Sequence, residues 1–175
     1  MDGQRFSSGG LQRLYSGRPV VGRWTLKEAI QGKPLRHPSH ALFVHFPSAL
    51  LPVAFAFDMI SRIDADATFV RAAYYNMATG LLIALAAALT GLVDYLPMVQ
   101  GSKKRQLGTN HLRFQVSALA LFLASFVFRS GDIYATQTPW APLLLAGLGT
   151  LVLAAGNYFG GELVYRQGMR VSTEL

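Results

Sequence analysis

The sequence predicts an all-α integral membrane protein, an antiparallel four-helix bundle with both termini cytoplasmic and a basic N-terminal tail. Three observations carry this. Apolar residues gather in four stretches, approximately 41–60, 72–99, 111–129 and 140–165, each long enough to cross a hydrocarbon core that takes roughly 20 helical residues. Only 14% of the chain is charged, against roughly 25% in soluble domains. Thirteen of the sixteen Lys and Arg lie before the first stretch, between the second and third, at the start of the third (Arg113) or after the fourth, leaving Arg62, Arg71 and Arg129 on the opposite side. That asymmetry places both termini inside. Runs such as LLIALAAALTGLV show no period of two, which excludes the alternating strands of a membrane barrel.

The net charge of +7 and pI near 10.1 are therefore topogenic. Anionic lipid headgroups account for the basic face, and nucleic acid is not needed as a partner. The absence of cysteine removes disulfides, thiolate metal sites, iron–sulfur ligation and covalent haem attachment.

Residues 1–36 read as a basic cytoplasmic tail and 37–175 as the four-helix domain. The tail holds no apolar run of signal-peptide length and is expected to be retained. Thr25 and Glu28 have capping-box spacing, so a short interfacial helix is expected through Ala29, anchored by Trp24 and ended by Gly32 and Pro34. The first span starts near Pro38, which suits a first helical turn, and Pro47 and Pro52 are expected to bend it. The second carries Asn76, Gly80, Ala84, Ala87, Gly91 and Asp94 on one small, polar face, and the third carries His111, Gln115, Ala118, Phe122, Ser125 and Arg129 on another. Gly156 and Gly160 allow the fourth to approach closely. Tyr134 and Trp140 read as interface anchors. No internal repeat stands out, although the two hairpins could descend from a duplication.

Antiparallel packing gathers His37, His40, His45, Asp94, His111 and Glu162 at the cytoplasmic end. Ionisable groups in a membrane are costly unless paired, and they mark sites. His45 and His111 are the candidate axial pair for a b-type haem. His40, His45, Asp94, His111 and Glu162 form a candidate set for a divalent metal such as zinc or manganese, or for non-haem iron. A quinone headgroup near Tyr95 and Tyr165 is a third use. A purely structural network, with the carboxylates neutralising Arg36, Arg113 or Arg166, competes with all three. At the other end Asp58 and Arg129 form a candidate structural pair, with Asn76 nearby. Lys103, Lys104 and Arg105 form a candidate lipid or partner surface. No nucleotide-binding glycine motif and no arranged nucleophile is present, so no catalytic residue is assigned.

Four pieces, GKPLRHPSHALFVHFPSAL, GLLIALAAALTGLVDYL, the His111 entry to the third helix and NYFGGELVYRQGMRV, resemble the bacterial membrane family DUF2231 from about Gly32 to Val171. The resemblance implies a four-helix membrane domain in a bacterial inner membrane and carries over His37, His40, His45, Pro47, Asp94, His111, Gly160, Gly161, Glu162 and Tyr165. Ala41 stands where many relatives have a second proline. Relatives joined to Rieske-type domains point to electron-transfer membranes. Two functions follow as expectations. One is a small non-catalytic accessory subunit of a respiratory or photosynthetic complex. The other is a b-type haem- or metal-binding electron-transfer module, with quinone binding behind it.

Overall fold

The structure, a computed structural model, describes residues 24–171 apart from 36, 130 and 132. Residues 1–23 of the expected basic tail and the expected pairing of Arg36 lie outside the described residues. Four long helices form the bundle: α2 (Ser39–Ile63), α3 (Ala67–Tyr95), α4 (Lys103–Arg129) and α5 (Trp140–Tyr165), preceded by a short α1 (Leu26–Ile30). Each long helix is long and apolar enough to span a membrane. Leu82, Leu85 and Leu89 on α3 and Leu144, Leu148 and Leu151 on α5 are at least half exposed. Outward leucines at helical spacing are stable in hydrocarbon and costly in water.

The caps explain where the helices depart from their apolar runs. Asp66 accepts from the Thr68 N–H at 2.8 Å and starts α3 five residues before the expected span. Pro97 follows its end and cannot continue it. Ser102 Oγ accepts from the Arg105 N–H at 3.1 Å, so α4 starts at Lys103 through the polar turns KKRQLGTN, which hydropathy cannot register. His111 therefore lies about 12 Å along α4 at 1.5 Å per residue, rather than at its entry. Both internal prolines sit within the single helix α2.

At the N-terminal side Thr25 and Glu28 close a capping box around α1. Gly32 then adopts φ +81°, where an added Cβ would lie 2.0 Å from the His37 carbonyl oxygen. Only glycine suits that left-handed, crowded position. The fold it permits brings Gln31, which is buried, against the end of α3.

Within each hairpin the helices pack along their length, whereas α2 meets α5 and α3 meets α4 over shorter stretches. Leu51, Ala54, Met77, Ala118, Phe122, Ala146 and Leu153, drawn from all four helices, form the central core.

The two hairpins are repeats of one another. His40 and His111, Leu51 and Phe122, and Asp58 and Arg129 occupy matching positions on α2 and α4, 71 residues apart as in the Asp58–Arg129 pair. The histidines and the Leu51–Phe122 pair find the same kind of partner on the next helix, while Asp58 and Arg129 meet each other. Leu51 packs on Gly80 and Phe122 on Gly149. His40 packs on Gly91 and His111 on Gly160. The helical contacts expose a duplication that the sequence, with few identities between its halves, conceals.

Candidate ligand site at the histidine end

His40 Nδ1 lies 2.9 Å from the Ala87 carbonyl oxygen, and His111 Nδ1 lies 2.8 Å from that of Gly156. A carbonyl only accepts, so both Nδ1 atoms carry a proton, and Nε2 is the nitrogen of each ring left to meet a ligand. An imidazole's two nitrogens point in nearly opposite directions, which turns each Nε2 away from the carbonyl that fixes the ring. No hydrogen bond among the described residues uses either Nε2.

Glycines make this orientation possible. A Cβ at position 91 would stand 2.8 Å from His40 Cε1, and one at position 160 would stand 3.0 Å from His111 Cε1. The rings thus lie flush on α3 and α5, and across the seam between hairpins they face one another. Their centroids are 6.3 Å apart and their planes make an angle of 85°.

A cavity of about 510 Å³ surrounds them, reached by all four helices and by residues 169–171. That volume falls within the 300–1,000 Å³ usual for small-molecule sites. Small residues of α3 (Ala84, Ala87, Ala88) and α5 (Gly160, Gly161) widen it. Deeper in, Gln115 Nε2 donates to Asn157 Oδ1 at 2.8 Å, and Asn157 Nδ2 donates to Ser48 Oγ at 3.4 Å. This polar belt joins α2, α4 and α5 on the cavity wall.

The other candidates separate. His45, expected opposite His111, is exposed and borders the cavity a turn and a half beyond His40. His37 is exposed outside α2. Asp94 is buried and accepts from Gln31 Nε2 at 3.1 Å and from Arg170 Nη2. Glu162 pairs with Arg166 at 3.2 Å. Among the described residues no three His, Asp or Glu side chains converge as a metal site, so the five-residue set does not gather at one point. Tyr165 is 89% exposed, and the Tyr95 hydroxyl bonds Thr109 at 2.8 Å.

Of the basic trio in the first turn of α4, Lys103 is exposed and Lys104 half-buried. Arg105 turns back, donating to the carbonyls of Tyr95, Leu96 and Met98 with its guanidinium 4.0 Å over the Tyr95 ring. It caps the end of α3.

At the opposite end the second matched pair is an ion pair. Arg129 Nη1 and Nη2 meet Asp58 Oδ1 and Oδ2 at 2.7 and 2.6 Å, with both side chains buried. Thr138, folded in from the α4–α5 connection, donates to Asp58 Oδ1 at 2.8 Å, and Ser125 Oγ accepts from Arg129 at 2.8 Å. Asp58 and Arg129 thus answer each other's charge. Asn76 bonds the Ala72 carbonyl of its own helix instead.

No curated protein and no solved structure matches this chain. Over residues 36–173 it matches the family described as predicted membrane protein (DUF2231), a stretch that takes in the histidine pair, the cavity and the buried ion pair alike, and the chain belongs to that family.

Proposed function

We propose that the protein is a membrane-embedded binding module whose His40 and His111 would hold a b-type haem. The observation that carries this reading is the facing, symmetry-matched pair of imidazoles, each with Nδ1–H tied to a backbone carbonyl and Nε2 uncommitted. A hydrogen bond from the other ring nitrogen to a carbonyl fixes the tautomer and raises the basicity of a ligating histidine. The spacing agrees: two imidazoles that would share one metal atom at bonds of about 2.0–2.1 Å, with roughly 1.1 Å from nitrogen to ring centre, would have their centres at most about 6.3 Å apart. Their centroids lie 6.3 Å apart. The absence of cysteine favours a non-covalently held group. Bound there, such a group would supply one-electron transfer. The chain's own residues orient the imidazoles, exclude water with alanine and leucine, and set the small-residue clearance.

This reading suits a small subunit of an electron-transfer membrane complex in a bacterial inner membrane. The lysine and arginine distribution supports a cytoplasmic histidine end. The metal alternative is less well supported, because Asp94 and Glu162 are engaged by arginines.

The test is titration of the purified full chain in neutral detergent with haemin. A 1:1 complex with a low-spin spectrum, lost in His40→Ala and His111→Ala and kept in His45→Ala, is expected. Failure to form a 1:1 complex, or a wild-type spectrum in either of the first two variants, would overturn the proposal.

A further inference from the structure

Arg170 is the one arginine or lysine among the described residues that line the cavity, and the haem reading leaves it unused. It follows α5 in a segment that turns back over the histidine end: Met169 N–H donates to the Leu163 carbonyl at 3.0 Å, and Met169, Arg170 and Val171 all line the cavity. Gly168 and Arg170 both adopt φ +59°. A left-handed arginine is uncommon and needs surrounding contacts to hold it. The holding contact is Asp94, whose side chain is only 5% exposed. It takes one Nη2 hydrogen bond from Arg170 while Gln31 from the N-terminal side braces the same oxygen.

A guanidinium carries five N–H donors in a rigid fork. Among the described residues only the Nη2 contact of Arg170 is made, and a third of its side chain remains exposed. The remaining donors suit a planar carboxylate, bidentate and charge-assisted. Asp94, Gln31 and Arg170 therefore form a built anion receptor: a buried carboxylate fixes the arginine and the arginine's free edge serves the ligand.

We propose that Arg170, positioned by Asp94, binds a carboxylate of the ligand whose other part lies between His40 and His111. The assignment rests on the reading that the cavity holds a ligand, and it narrows the ligand class to planar molecules bearing an acidic group at the membrane-surface end. Asp94 is a positioning residue, touching the ligand only through Arg170.

The test compares haemin with haemin dimethyl ester, in neutral detergent without anionic lipid, on the full chain and on Arg170→Gln, Arg170→Lys and Asp94→Asn. One charge-assisted contact corresponds to about a tenfold to hundredfold change in affinity. The wild type should favour the free acid over the diester by that factor relative to Arg170→Gln, whose diester affinity should be unchanged. Arg170→Lys should recover part of the preference, and Asp94→Asn should lower free-acid affinity while leaving the diester untouched. Equal preference in wild type and Arg170→Gln overturns the assignment and leaves the histidine reading standing. Binding of neither porphyrin to the wild type overturns both. Thermal unfolding of each variant checks that the bundle is intact, and a fall in diester affinity in Arg170→Gln would mark a merely structural role and overturn the proposal.

Discussion

Replacing Asp58 by asparagine removes one charge from the interior and leaves the volume almost unchanged, so the cavity term of a large-to-small substitution is absent. What remains is Arg129, whose side chain is 2% exposed and now faces a neutral amide with one acceptor oxygen where the carboxylate offered two, beside Ser125. Breaking a buried pair on one side costs about 3–5 kcal/mol, because the surviving charge stays desolvated. Asp58→Asn and Arg129→Met should each cost about that much, whereas the double variant, with no charge left to strand, should cost less than about 2 kcal/mol. The assay is SDS-driven unfolding in mixed micelles followed by fluorescence. Trp140 suits it as reporter, since the Arg62 guanidinium sits 4.3 Å over its ring at that end. A single-variant loss below about 1 kcal/mol, or a double-variant loss equal to the sum of the singles, would refute the inference that the pair is buried and mutually dependent.

The histidine end gives a graded pair of substitutions. Gly91→Ala puts a Cβ 2.8 Å from His40 and must displace the ring, whereas Gly160→Ala meets His111 at 3.0 Å and demands less; overpacking of this kind costs about 1–3 kcal/mol, and haemin affinity should fall further in the first, as measured by titration. Gly32→Ala forces an alanine to φ +81° against the His37 carbonyl, and hydrogen exchange should show residues 26–35 released while the bundle stays protected. Glu28, held down to about 2 chiefly by Lys33 and then by Thr25, contributes to α1 above the ordinary carboxylate range. Its contribution is lost only as pH falls through about 2, so the α1 amides should keep their NMR shifts from pH 7 to pH 4 and Glu28→Gln should shift them at every pH in that range.

Much of the bundle was legible because hydrocarbon imposes a simple rule: long apolar runs become helices, and their number sets the architecture. The capping residues Thr25 and Glu28 were legible for the same local reason. Vertical stagger between helices was not. With α4 beginning at Lys103, its first two turns, KKRQLGTN, reach beyond the start of α2, so His111 stands level with His40 in the first turn of α2 rather than with His45 farther along it. The duplication held the missing signal. His40-x-x-Phe43 and His111-x-x-Phe114, followed at one interval by Phe57-Asp58 and Phe128-Arg129, mark the two pairs that meet across the seam. Opposite charges at the second pair obscured the match, although complementarity is what a pair on the axis between two repeats requires. Gln31 and Arg170 were illegible because both lie in polar segments whose folding back depends on Gly32 and Gly168 taking left-handed backbone angles.

The central claim is that His40 and His111 share one ligand with their rings nearly perpendicular. The most direct measurement is the low-temperature electron paramagnetic resonance spectrum of the haemin-loaded protein. Rings at 85° predict a strongly anisotropic low-spin ferric signal that is lost in both His40→Ala and His111→Ala. A rhombic low-spin signal of parallel imidazoles, or a signal lost in His45→Ala and retained in His40→Ala, would contradict it.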